Sequence, residues 1–177
     1  MNKKDKILTV ALPIFAKNGY ENTSIEEIAK KLEITKPAIY YHYKNKKELY
    51  NEIFIKYFKN LEFKDSLKDY IFIMGEFFLQ NPNIAKLFSK ELACEMEHLD
   101  TETIKVVSKT LKKLISILKD TDVNPFFIQT LIVASFTTYT NTLEVRKKVS
   151  KVLNNKIVTE FDVIDEIYKV IKEYIKK

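Results

Sequence analysis

Gly19 and Gly75 are the only glycines in this chain of 177 residues, and it has just four prolines. All-β and doubly wound folds turn often, drawing on glycine for positive φ and on proline for a preset φ. A chain so short of both must form few, long, locally bonded elements, so it is expected to be all-α. Apolar spacing agrees from the start: Ile7, Leu8, Ala11, Leu12 and Phe15 fall on one face of a helix. Pro13 inside that pattern removes a backbone bond and predicts a kink or distortion. Gly19 is placed to end the helix.

Several function classes are poorly served. Cys94 is the only cysteine, so no internal disulfide is possible. The basic, apolar N-terminus runs directly into Lys17 and Asn18 with no small-residue cleavage site, which points to a cytoplasmic protein. The longest uncharged run, Val123–Leu143, contains Asn124, Pro125, Gln129, Asn141 and six Ser/Thr residues. That is too polar for a membrane span and fits a helix with neighbours on more than one side. No Gly-rich phosphate loop or nucleophile elbow is present, and the histidines are His42 and His98 alone, so an enzyme is not expected. No cofactor is called for.

Charge is unevenly spread. Residues 1–60 hold twelve lysines and seven acids, net +5, whereas the remainder is net +1. A basic head on a nearly neutral body suggests an anionic partner.

Within that head, Ile25, Ile28, Ala29 and Leu32 form one apolar face of a short helix. It opens on a capping box, either Thr23 with Glu26 or Ser24 with Glu27. Ile34 follows as an apolar plug, then Thr35 as a natural N-cap and Pro37 in the first turn of another short helix running to about Tyr43. Ile39 and Tyr43 face inward, leaving Lys36, Pro37, Tyr40 and Tyr41 mainly outward. A third segment, with Leu49, Ile53, Phe54, Tyr57 and Phe58 inside, completes a helix-turn-helix head. A helix of this width enters the DNA major groove with its N-terminal residues meeting base edges.

The stretch "AKNGYENTSIEEIAKKLEITKPAIYYHYKNKKEL" resembles the DNA-binding head of the TetR family of bacterial transcriptional regulators. Phe15, Gly19 and Tyr20, then Ile28 and Ala29, Ile34-Thr35-Lys36, Tyr40, His42 and Tyr43, and finally Lys46 and Leu49 carry the likeness. One position departs from it: Glu33 stands where the family usually has glycine, and a positive φ there would strain it. The resemblance implies a three-helix DNA-binding domain over residues 1–46, with helix 4 extending to about residue 61. A helical ligand-binding and dimerisation domain then spans 47–177. It implies that Tyr40 touches a phosphate and that Lys36, Pro37, Ala38 and Tyr41 face bases. Thr23, Ser24, Thr35, His42 and Lys46 are to anchor the DNA backbone on either side. The chemistry is suitable: hydroxyls and lysines hold phosphates, Pro37 and Ala38 suit a thymine methyl, and Lys36 can reach guanine. With no arginine in residues 1–60 for bidentate guanine readout, an operator relatively rich in A·T is expected.

The remaining sequence reads as four or five helices, among them one over 124–153 and a last one from about residue 160. By resemblance the last two long helices form a homodimer seam: Ala134, Ser135 and Thr138 let another helix approach closely and, together with Ile164, Ile167, Ile171 and Tyr174 of the last helix, make a two-helix dimer face. An unidentified small-molecule effector would bind in this body, shift helix 4 and release the DNA, giving a repressor. Phe72, Phe77, Phe78, Phe88, Phe126 and Phe136 are either pocket lining or, the commoner role, core. Two other readings stay open. Glu91, Cys94 and His98 are spaced three and four apart as on one helix face, which suits a metal or redox sensor. A helical small-molecule-binding protein without a DNA role is the other.

Overall fold

Capping groups fix where the helices begin. In the computed structural model, which describes residues 2–153 and 158–176, the side chains of Asn2, Ser24, Asn45, Ser66, Asn124 and Asp162 each accept a bond from a backbone N–H in the first turn of the following helix. Each such cap satisfies a donor that a helix start leaves bare and stabilises by about 1 kcal/mol. The helices are α1 (Lys3–Asn18), α2 (Ile25–Leu32), α3 (Lys36–Tyr40), α4 (Lys46–Phe58), α5 (Leu67–Gln80), α6 (Pro82–Ala93), α7 (Thr101–Ile117), α8 (Pro125–Asn141), α9 (Leu143–Val152) and α10 (Val163–Ile175). No strand occurs among the described residues.

Packing divides the chain into two units. The first runs to Leu61 and takes in Lys86–Lys109. Its core is Phe15, Ile28, Ile39, Leu49, Tyr50, Ile53 and Phe54, all buried. Each large apolar side chain so buried contributes roughly 2 kcal/mol. The rings of Phe15 and Tyr50 meet edge-on at 4.9 Å. Tyr43 is core, as its spacing predicts, and its phenol donates to Lys4 O at 3.0 Å, tying the end of the α3 segment to the start of α1. Pro13 lies on the exposed side of an α1 that continues through it, so the missing N–H bond faces solvent.

The second unit comprises Glu62–Ala85 and the residues from Thr110 onward. Helices α5, α8 and α10 pack against one another around Gly75, where a Cβ would stand 2.5 Å from Ile164 Cγ1 and 3.0 Å from Phe136 Cζ. This glycine serves close approach of helices. The Tyr70 phenol is buried among them and donates to Gln129 Oε1 at 2.7 Å.

Three sequence expectations change here. The helix read over 124–153 breaks at Thr142, giving α8 and α9. The Thr-rich run before the break competes with backbone bonding: Thr142 donates from its hydroxyl to Thr138 O, and Arg146 donates to Tyr139 O at 2.8 Å. Helix α8 is also not enclosed on several sides. Ile128, Ile132, Val133 and Phe136 are buried, but Phe126, Phe127, Thr130, Ala134 and Thr138 are exposed. On α10, Ile171 is fully buried and Ile164 meets Gly75, so both belong to the bundle interior rather than to an outer seam. The exposed apolar residues of α10 are Val170 and Tyr174.

Candidate nucleic-acid interface

The turn between α2 and α3 is built by Glu33. Its φ of 55° and ψ of 39° place it in the left-handed region. Glu33 N donates to Lys30 O at 3.2 Å and Ile34 N to Ala29 O at 3.1 Å, which closes α2 in the manner of a Schellman cap. The departure from glycine therefore keeps the turn and places the strain on Glu33. Ser24 is the cap that begins α2, accepting from Glu27 N at 3.1 Å, so the second of the two capping-box alternatives holds.

Helix α3 is a single turn, shorter than the sequence suggests, although Tyr41 N still donates to Pro37 O and Tyr43 N to Ile39 O. Ile39 anchors it. Its outward side carries Pro37, Tyr40 and Tyr41, the last 85% exposed. Tyr41 and His42 meet edge-on at 5.1 Å, which orients both rings. Ile34 is not the plug its position implies; it is 38% exposed, because the Schellman turn carries it outward.

The expected backbone anchors fall into two groups. Ser24 and Thr35 are exposed. Thr35 makes no capping bond to α3, and Ser24 only accepts, so both hydroxyl protons can be given to a phosphate oxygen. Thr23 and Lys46 are turned inward instead. Thr23 is 2% exposed and its hydroxyl donates to Gly19 O at 2.7 Å. Lys46 donates to Tyr20 O at 2.9 Å and Thr23 O at 3.2 Å, and lies 4.2 Å from the Tyr20 ring centroid. Their side chains hold the α1–α2 connection against α4. Half-buried Ala38 lies beside His42.

Lys36 has a partner that sequence spacing could not show. Its ammonium bonds to the carboxylate of Glu26, ten residues earlier on α2, and lies 5.7 Å from the Tyr40 ring centroid. That hydrogen bond holds the Lys36 ammonium above the ordinary lysine range and the Glu26 carboxyl below the ordinary glutamate range. To read a base, Lys36 must give up the Glu26 carboxylate for a neutral acceptor on the base edge.

Glu91, Cys94 and His98 do not form the constellation that their spacing suggests. Helix α6 ends at Ala93, and Glu95 and Met96 both take left-handed conformations in the turn that follows. Cys94 is exposed there. His98 folds back through the turn, bringing Nδ1 to 2.9 Å from Glu91 Oε1 and Nε2 to 3.2 Å from Glu21 Oε1. Glu91 is 2% exposed and also accepts from the Tyr50 phenol at 2.5 Å. Burial and that bond push the Tyr50 phenol well above its usual range. Asn51 completes the knot, donating to His98 O and accepting from Asp100 N. Among the described residues no group of three His, Cys, Asp or Glu side chains could hold a metal ion. The cluster is a polar clamp on α4.

Of the aromatics offered as pocket lining, Phe77, Phe78, Phe88 and Phe136 are buried core. Phe72 lines an open groove of about 460 Å³ in the second unit, while Phe126 stands exposed at the start of α8. Among the described residues no helix is long and apolar enough to cross a membrane.

Known proteins resemble the chain at two levels. The family described as bacterial regulatory proteins, tetR family, matches residues 7–53. The HTH-type transcriptional regulator QacR of Staphylococcus aureus is 53% identical over 53 residues, covering 30% of this chain and 28% of that protein. The biofilm operon icaADBC HTH-type negative transcriptional regulator IcaR of Staphylococcus epidermidis is 43% identical over 49 residues, covering 28% and 26%. The chain thus matches little more than a quarter of the length of these relatives. Similarity of fold extends much further. A linker-substituted mutant of HlyIIR superposes with a TM-score of 0.67 at 25% identity, over 93% of each chain. The transcriptional regulator SCO4942 of Streptomyces coelicolor superposes with a TM-score of 0.70 at 17% identity, over 98% of each.

Proposed function

Because its head belongs to the tetR family of bacterial regulatory proteins, we propose that the chain is a DNA-binding transcriptional regulator, a repressor released from its operator by a small, largely apolar effector. The observation that carries this reading is α3 itself. A one-turn helix held by a single buried anchor, Ile39, presents Tyr40 and Tyr41 outward beside Lys36 and Pro37. Exposed tyrosines give nothing to a core, whereas a groove of phosphates and base edges gives each a partner. In this reading Lys36, Pro37, Ala38 and Tyr41 face bases and Tyr40 meets a phosphate. Ser24, Thr35 and His42 set register, and Thr23 and Lys46 act from behind, by fixing the α1–α2 connection. The functional division is a DNA-binding domain over 1–46 and a ligand-binding and dimerisation domain over 47–177.

The working form is a homodimer in the cytoplasm, joined through α8 and α10. Support comes from the outer faces of these helices. The rings of Phe127 and Tyr174 lie 5.3 Å apart and both remain exposed, and Val170, Ala134 and Thr138 are exposed on the same two helices. The dimer spaces two heads for successive major grooves, about 34–36 Å apart. IcaR, a negative regulator by its description, offers the precedent for repression.

The test is fluorescence-anisotropy binding to fragments of DNA flanking the protein's own coding region. About four phosphates neutralised per subunit give a salt slope near −7 for the dimer. Tight binding to one fragment that is lost in Lys36→Ala/Tyr41→Ala supports the reading; equal, weak binding to every fragment by wild type and variant refutes it.

A further inference from the structure

Beside the tip of α3 lies a notch of about 340 Å³ that the reading helix alone does not explain. Ile7, Leu32, Ile34 and Ala38 make an apolar floor, and Tyr41 and His42 stand on one side. Lys3 and Lys6, three apart in the first turns of α1, stand on the other.

These two lysines differ from their neighbours. Lys4 pairs with Glu52, and Lys56 pairs with Asp5 at 2.7 Å, so the acids near the start of α1 are already engaged. Lys3 and Lys6 are exposed and form no ion pair among the described residues. Cations at a helix N-terminus oppose the helix dipole, so their placement costs stability unless an anion joins them. Helix starts and lysines are each favourable surroundings for phosphate. An apolar floor below a cationic rim matches a sugar–phosphate unit, whose deoxyribose carbons pack on aliphatic side chains while its phosphate oxygens meet ammonium groups. Ile34 is the only large aliphatic side chain of the α2–α3 turn, and its exposure is accounted for if deoxyribose covers it.

We infer that the notch between the start of α1 and the tip of α3 seats a backbone phosphate of DNA, held by Lys3 and Lys6, with Tyr41 and His42 closing the opposite side. The inference rests on the DNA-binding reading and adds a second element to it: α3 faces the bases while α1 fixes how far α3 enters the groove. Lys3 and Lys6 contribute affinity without sequence preference.

The experiment compares wild type, Lys3→Ala/Lys6→Ala and Lys3→Arg/Lys6→Arg on the tightest-binding fragment and on an unrelated duplex, across a range of salt. Emptying one phosphate seat per subunit, two per dimer, makes the slope of log K against log salt shallower by about 2. The loss is to be the same factor on both duplexes, with the arginine variant retaining the wild-type slope. A slope within one unit of wild type in the alanine variant, with the thermal midpoint unchanged, overturns the inference while leaving the reading of α3 intact. Failure of the wild type to bind any duplex overturns both. An arginine variant as weak as the alanine one also overturns it, because a phosphate seat needs charge and reach rather than lysine itself.

Discussion

Glu33→Gly tests the turn at the centre of the head. Glu33 holds φ 55°, ψ 39°, where a Cβ crowds the backbone at a cost of roughly 1–2 kcal/mol. Its side chain is exposed, so removing it sacrifices little packing. Glycine removes the crowding but gives the unfolded chain extra freedom, which offsets about 0.4–1 kcal/mol. The net expectation is a gain of about 0.5–1 kcal/mol. For a chain of this size that raises the thermal midpoint by roughly 1–4 °C. The assay is thermal and urea denaturation of the full chain, with Glu33→Val beside it. A β-branched residue tolerates the left-handed region worst, so that variant is expected to lose more than about 1 kcal/mol. Binding of Glu33→Gly to DNA should stay within about twofold of wild type, since the two turn bonds to Ala29 O and Lys30 O are unchanged. A lowered midpoint for Glu33→Gly, or an unaffected one for Glu33→Val, would refute the assignment of strain to this residue.

Glu26→Gln releases Lys36 from its ion pair. Exposed, solvent-screened pairs of this kind hold weakly, so operator binding should tighten only modestly, by roughly one- to fivefold, with a steeper salt dependence; weaker binding by a folded variant would contradict the exchange of partners. Gly75→Ala drives a Cβ into Ile164 and Phe136 and should cost about 1–3 kcal/mol. Adding Ile164→Ala should recover part of that loss, measured as coupling in a double-mutant cycle. The buried phenols of Tyr43, Tyr50 and Tyr70 are all pushed up, mainly by burial. Folded values above the ordinary value of about 10 mean full stability below that pH and progressive loss above it, since only the unfolded chain ionises there. Three such groups give a slope of up to about 4 kcal/mol per pH unit. Urea denaturation at pH 9 to 11.5 measures it, and stability that stays level over that range would contradict the burial of these side chains.

The sequence reached far into the head and less far into the body. The glycine at the end of α1 and apolar spacing are local, so Gly19, Ile28, Ile39 and Tyr43 could be placed from nearest neighbours alone. Local patterns could not say which way a polar side chain near a turn would face. Thr23 and Ser24 are adjacent and chemically alike, yet one hydroxyl is bonded inside and the other lies at the surface. Helical spacing also misplaced Glu91, Cys94 and His98, because two residues in the left-handed region end α6 before the pattern can hold.

The scarcity of glycine and proline determined the all-helical class, and the basic, tyrosine-rich stretch from Lys36 to Lys47 marked the surface that carries the proposed function. Only tertiary structure decided the partners that lie far apart along the chain. It paired Lys36 with Glu26, bound Tyr50 and His98 to Glu91, buried Ile171 inside the bundle and left Val170 outside, and brought Lys3 and Lys6 to the tip of α3. Propensity and capping act over a few residues, whereas burial and ion pairing depend on which helices meet, and that is set by the packing of the whole unit.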